Sequence, residues 1–246
     1  MSALANWQIA LGRTMQIHND AHGDVLDDLT LRPDERSRLA RLRRSRGFRF
    51  TAKIQRSWCE ARSANAARLT LASLSPEKRR ELVAEWVDRG GGRDSFLAGE
   101  AEGFLDFLAG RLPDPSHALS LCRFEQALLL ASQVAAQFTP PDLVHLDDPD
   151  CLVTAGRNAA LVTFHAEIEP VFAALESGEA LPTIGNVAHS ILFAPGIPLL
   201  LRAADLAEAK LWQSLAEPVK VGALLRQGHA RGHINAFATE GAAQIA

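Results

Sequence analysis

The sequence contains no tyrosine, only three cysteines and two methionines, and no long apolar run. Each shortage closes off a class of function. Without tyrosine, no phenolic acid, base or radical can take part in chemistry. Cys59, Cys122 and Cys151 are odd in number and far apart, so they give neither a disulfide framework nor a CxxC zinc pattern. They sit in apolar helical or strand contexts, where thiols are inert. A reducing cytoplasm is the expected compartment. No apolar run approaches the roughly 18 residues that a membrane-crossing helix needs, so no membrane partner is expected. The opening MSALANWQIALGRT has no basic segment ahead of an apolar one, and no secretory signal is read there. A GxSxG nucleophile elbow and an HExxH metal motif are missing too. The run Gly90-Gly91-Gly92-Arg93-Asp94 lacks the Gly-Lys-Ser/Thr of a phosphate loop and follows a helical segment, so it reads as a helix stop. No catalytic residue and no metal site is assigned.

What is present is enough apolar material for one large core or two modest ones: 47% of 246 residues, with 22% charged and a net charge of −3. The front half reads as helices. Leu4, Trp7, Ile9, Leu11 and Met15 are spaced for an amphipathic helix over residues 2–17. An acidic loop follows, and Arg32-Pro33-Asp34-Glu35 starts a long helical region that runs to about Leu74. Ser75-Pro76 is an N-cap followed by proline at the first helical position. Asp94 or Ser95 caps the next helix, which ends at Pro113 and Pro115, and Ser116 to Phe138 forms one more.

Thr139-Pro140-Pro141 to Pro149-Asp150 is rich in proline and acid, which marks a boundary. Beyond it lie strand-like runs at Cys151–Thr154, Ala160–His165, Ser190–Phe193 and Leu199–Arg202. The last two flank Ala194-Pro195-Gly196-Ile197-Pro198 and suit a hairpin. Helices are expected at Glu167–Glu176, Asp205–Leu215, Val219–Gln227 and from His233 onward. The expected class is α+β, with a helical domain over residues 1–140. A small mixed-sheet, winged-helix-like module for peptide recognition follows over 150–246.

The strongest compositional signal is a basic block. Arg32 to Arg56 holds ten arginines and lysines against Asp34 and Glu35, a local +8 that leaves −11 for the rest of the chain. A solvated helix surface, a docking face for an acidic partner and a nucleic-acid contact all fit it; the back half lacks the supporting charge of a DNA reader, so nucleic acid is not the expected partner. Arg41, Arg43 and Arg44 are the candidate partner-binding residues, because charge of one sign steers association. His18 and His22 have metal-ligand spacing with Asp20, Asp24, Asp27 and Asp28 nearby, but Asn19, Asp20 and Gly23 oppose the helix they would need. His229 and His233 repeat the spacing beside Gly228 and Gly232, which points to a loop or helix junction. His165 and His189 flank strands and read as structural.

Two stretches carry a resemblance. One is Ser95-Phe-Leu-Ala-Gly-Glu-Ala-Glu-Gly-Phe104-Leu-Asp-Phe107-Leu, then Leu112-Pro113-Asp114 and Leu121-Cys-Arg123-Phe124-Glu125-Gln-Ala127. The other is His189-Ser-Ile-Leu-Phe-Ala-Pro195-Gly196, then Leu199-Leu-Leu-Arg202, Ala207-Glu208-Ala209 and Leu211-Trp-Gln-Ser-Leu215. Over roughly residues 50–245 the chain resembles the partner proteins of multinuclear iron oxygenases in ribosomal-peptide modification. These are the thiaglutamate-type and methanobactin-type partners and related DNA-binding-domain proteins. The resemblance implies an accessory, non-catalytic subunit of a heterodimer, with no cofactor in this chain and the iron in a separate oxygenase subunit. It implies that the back module recruits the leader of a ribosomal precursor peptide as an added strand, so that a cysteine of that peptide is modified. Carbon excision of the thiaglutamate type is preferred over the methanobactin type, because the chain is long for the latter. Val162, Phe164, Ile191, Leu192 and Phe193 are the candidate peptide-binding residues. The alternative, from another class, is a DNA-binding transcriptional regulator with a helical sensor domain.

Overall fold

A computed structural model describes residues 3–16, 29–92 and 97–245. The chain is α+β, with a helical N-terminal region. It divides into two compact units, residues 1–107 and 108–246. This division falls earlier than the proline-rich stretch at 139–150. The reason is that the Ser116 helix packs on the sheet that follows it and belongs to the second unit.

In the first unit, α1 (Ala3–Gln16) buries Ala10 in a small core with Leu29, Leu31 and Leu39. The guanidinium of Arg38 lies over the Trp7 ring, 5.7 Å from its centroid. The expected long helix is broken twice. α2 (Pro33–Arg44) ends at Ser45, whose backbone is extended and whose hydroxyl accepts from the Phe48 N–H at 3.2 Å. Ser45 therefore caps α3 (Arg46–Ala66), satisfying a helix-end donor that an uninterrupted helix would not leave open. A second break at Ala67 separates off α4 (Arg68–Ala72). α5 (Pro76–Asp88) starts at the cap read from the sequence: the Ser75 hydroxyl accepts from the Lys78 N–H at 3.2 Å. In α6 (Leu97–Ala109), Phe104 and Phe107 lie against Trp86, with ring centroids 5.6 and 5.3 Å away. Gly91 lets the chain pass that indole, since a Cβ there would fall 2.0 Å from the ring. The cap expected at Asp94 or Ser95 lies outside the described residues.

In the second unit, α7 (His117–Val134) is capped by the Ser116 hydroxyl, which accepts from the Leu119 N–H at 3.1 Å. The strands then form two antiparallel sheets, not one mixed sheet. The first, in the order β5-β1-β6, joins β1 (Leu152–Ala155) to β5 (Val219–Lys220) and β6 (Ala243–Ile245). The second, in the order β2-β3-β4, joins β2 (Ala160–Phe164), β3 (His189–Phe193) and β4 (Leu201–Ala204). The 219–227 region thus contributes a short strand before its helix, and the helix expected from His233 forms over Arg231–Glu240 and is followed by β6. α8 (Ile168–Ser177), α9 (Leu206–Ser214), α10 (Val221–Arg226) and α11 (Arg231–Glu240) complete the unit.

β3 is buried on both faces. On one, Phe193 and Phe164 meet Phe124 of α7 at 5.1 and 6.3 Å, and Phe172 of α8 joins them at 5.2 Å from Phe124. On the other, Leu192 enters a core with Val153, Leu211, Leu215, Val221, Leu224 and Phe237. The β3–β4 hairpin forms, but β4 starts two residues later than the sequence suggested. Pro198–Leu200 makes a tight turn in which Leu199 and Leu200 have φ of 60° and 70°.

Candidate peptide-docking edge

The register of the second sheet fixes which backbone groups are available to a partner. In an antiparallel pair, opposed residues alternate between exchanging both hydrogen bonds and exchanging none. β3 and β4 pair Ser190 with Ala204, Leu192 with Arg202 and Phe193 with Leu201. One step further along this register, the Ala194 N–H donates to the Leu200 carbonyl at 3.1 Å. The bonded pairs are therefore Ala194–Leu200, Leu192–Arg202 and Ser190–Ala204. Leu201 and Ala203 turn their N–H and C=O groups away from β3, toward the outer edge. Ala203 is exposed, and the Arg202 guanidinium donates to its carbonyl at 3.1 Å, which leaves one acceptor position on that oxygen.

The same alternation carries to β2. Ile191 and Phe193 face it and bond Val162 and Ala160, so Leu161 and Thr163 turn outward. This edge is partly covered. The Ser120 hydroxyl of α7 donates to the Thr163 carbonyl at 2.8 Å, and the Gly185 N–H donates to the next outward carbonyl, His165, at 2.6 Å. Among the described residues, two outward carbonyls on the β2 side are thus engaged from outside the sheet, whereas those of β4 meet only its own Arg202 side chain.

β4 is held from behind. The Arg202 guanidinium reaches both Glu240 oxygens of α11 at 2.8 Å and the two Glu208 oxygens of α9 at 2.7 and 2.9 Å. These contacts raise the Arg202 pKa: hydrogen bonds to Glu240 and Glu208 outweigh burial. Burial pushes Glu208 upward, but Arg202 and the Asp205 N–H outweigh it and leave this carboxyl below its ordinary value. Asp205 caps α9 reciprocally, accepting from the Glu208 N–H at 2.8 Å while Glu208 accepts from the Asp205 N–H at 3.0 Å. That N–H contact holds the Asp205 carboxyl low. Two large apolar side chains flank the open edge in water: Leu199 is 90% exposed and Leu206 73%.

The residues expected to bind peptide lie elsewhere in the sheet. Val162, Phe164, Ile191, Leu192 and Phe193 are all under 5% exposed and form the core described above. Alternation normally sends every second side chain to solvent, but α7 and α8 cover one face of β3 and α9–α11 the other. Their side chains offer nothing to a docking strand; the backbone at 201 and 203 does. Arg41 and Arg44 are exposed on α2, and Arg43 is half-buried with a partner. His18 and His22 lie outside the described residues. His229 is within 3.0 Å of the Ser214 hydroxyl. His165 and His189 line a small groove with Pro182 and Gly185. The thiols of Cys59 and Cys122 are buried, and burial, with Asp148, pushes the half-buried Cys151 thiol upward, away from the reactive thiolate.

Sequence reasoning missed Arg202, Ser120, Glu240 and the flanking pair Leu199 and Leu206. The Asp205-x-x-Glu208 capping box was legible; the Arg202–Glu240 and Ser120–Thr163 contacts join residues too distant in the chain to leave a local signal. No protein-family model matches the chain, and no curated protein matches it.

Proposed function

We propose that the chain is an accessory subunit that captures an extended peptide segment by adding it as a strand to β4. The observation that carries this reading is the contrast between the edges of one sheet. Nature leaves an edge uncovered at a risk of aggregation, and here one edge is covered while the other keeps outward donors and acceptors on a strand fixed by three ion-paired side chains. Strand addition obtains affinity from main-chain hydrogen bonds and selectivity from flanking side chains. Leu199 and Leu206 supply an apolar preference beside the edge. The resemblance given above supplies the rest: the peptide is the leader of a ribosomal precursor, and the chemistry belongs to an iron-dependent oxygenase that this chain binds. Tethering the leader then raises the effective concentration of the cysteine to be modified.

The test is calorimetry and amide exchange on the full chain with synthetic Cys-containing precursor peptides that carry their leader segments. The expected result is saturable binding with protection of the Leu201 and Ala203 amides, abolished by Ala203→Pro. Protection confined to Ala243 and Ile245, the outward positions of β6, moves the docking to the other sheet. Absence of peptide binding, with salt-dependent binding of duplex DNA at physiological ionic strength, replaces this reading with a transcriptional regulator.

A further inference from the structure

Among the described residues, α3 carries an unpartnered ridge. Its inner face buries Ala52, Cys59 and Ser63, and the helix packs on α1 and α5. On the outside, Phe50, Ile54 and Trp58 follow one another at every fourth position and are 67%, 39% and 65% exposed. Such a row is the ridge that one helix inserts between the ridges of another. Arg46 continues the row toward the N-terminus, and Arg49 and Lys53 form the row beside it. The side chains of Arg46, Arg49 and Lys53 are exposed and make no ion pair or hydrogen bond among the described residues. Other basic side chains of the block are engaged: Arg56 reaches Glu60 at 2.7 Å and Asp88 at 2.5 Å, Arg32 reaches Glu35 at 3.1 Å, and Arg38 covers Trp7. Arg41 and Arg44 on α2 are likewise exposed and make no such contact among the described residues, so the uncompensated charge runs from the end of α2 into α3, and Arg46, Arg49 and Lys53 are the part of it that lies beside the apolar ridge.

We propose that this face of α3 docks a helical protein surface that offers an apolar groove with acidic residues along one rim. Apolar burial would supply affinity, and the charges would set orientation and on-rate. The flanks of the ridge are unlike: Arg49 and Lys53 on one side, Gly47, Thr51 and Gln55 on the other. A lipid surface would meet both flanks alike, and this face is charged on one only. A nucleic acid would meet the charge but leave the aliphatic Ile54 at the centre of the ridge without a stacking role. A second copy of the chain would bring two positive faces together. The face is separate from the β4 edge, and the inference does not depend on the peptide reading.

The experiment is titration calorimetry of the full chain with a synthetic amphipathic helix bearing a leucine ridge and glutamates along one side. Saturable binding is expected. It should weaken about tenfold or more in Trp58→Ser, as for an interface anchor, and comparably in the triple variant R46E/R49E/K53E. All replaced side chains are exposed, so melting curves should stay unchanged. Ala203→Pro should bind this helix as the wild type does, which separates a failure here from a failure at β4. The proposal is overturned by no binding, or by equal binding of the same helix with glutamine for glutamate. It is also overturned if phosphatidylglycerol vesicles or single-stranded RNA bind more tightly, or if the chain forms a dimer that Trp58→Ser dissolves.

Discussion

The edges of the β2-β3-β4 sheet are built from strands of similar length, five and four residues, yet they are finished in different ways. At β2 the outward carbonyls of Thr163 and His165 are satisfied by Ser120 and Gly185. At β4 no other strand or helix engages the outward groups of Leu201 and Ala203 among the described residues, and only Arg202 reaches the Ala203 carbonyl, while that same side chain is tied down to Glu208 and Glu240. A strand that is merely peripheral would be expected to be loose as well as exposed. β4 is exposed but fixed, the combination that lowers the ordering cost of strand addition. Position in the sheet therefore says less about function than how the outward backbone groups are disposed of.

The comparison can be broken most sharply at its centre. Leu192→Pro removes an N–H that points from β3 to β4 and inserts a ring into a fully buried strand. It is expected to cost more than about 3 kcal/mol and to abolish cooperative melting of the second unit; a normal melting curve would show that β3 is not the buried central strand of the sheet. Next comes Arg202→Ala. It leaves Glu208 and Glu240 facing each other without a cation, at a cost of about 2–4 kcal/mol, read from denaturant midpoints. The same variant tests the pH dependence. Glu208 and Asp205 have lowered pKa values in the fold, so their stabilisation is full above the ordinary carboxylate range of about 4 and is lost as pH falls through the lowered folded values. The wild type should lose stability on acidification through that window, and Arg202→Ala should show a shallower loss, followed as melting temperature against pH.

Two smaller effects sharpen the contrast between edges. Ser120→Ala uncovers the Thr163 carbonyl and should cost about 1–2 kcal/mol, with increased amide exchange along β2. Ala203→Pro should change the melting temperature least, because the lost N–H points to solvent on an edge strand, where proline is tolerated. A destabilisation by Ala203→Pro as large as that of Leu192→Pro would mean that β4 is not an open edge.

The helical starts were legible wherever a local cap announced them, as at Ser75-Pro76 and Ser116. The break at Ser45 was not, because Arg44-Ser45-Arg46 continues the composition on either side and only the Phe48 contact reveals the cap. β5 was read as part of a helix and β6 was not told apart from the helix before it, because they span two and three residues, too short for alternation to register; their pairing with β1 makes them strands. For the candidate site, the sheet, its hairpin and the neighbouring helix were readable. The open edge was not, since it depends on hydrogen-bond phase and on contacts such as Ser120 to Thr163, 43 residues apart. Apolar residues in β2 and β3 looked like groove-lining candidates, because a sequence shows alternation but not whether both faces are roofed.

The turn before β4 has a consequence of its own. Leu199 and Leu200 both occupy the left-handed region that glycine or asparagine fills at far lower steric cost, and Leu199 is almost wholly in water. Backbone strain and solvation both argue for a smaller polar residue at 199, which makes it a place where the free protein is not optimised for its own stability. Replacing Leu199 with asparagine would be expected to raise the melting temperature and, under the proposed function, to weaken the docking of an added strand. On that account the turn sets stability of the fold against the apolar surface that the proposed function would use.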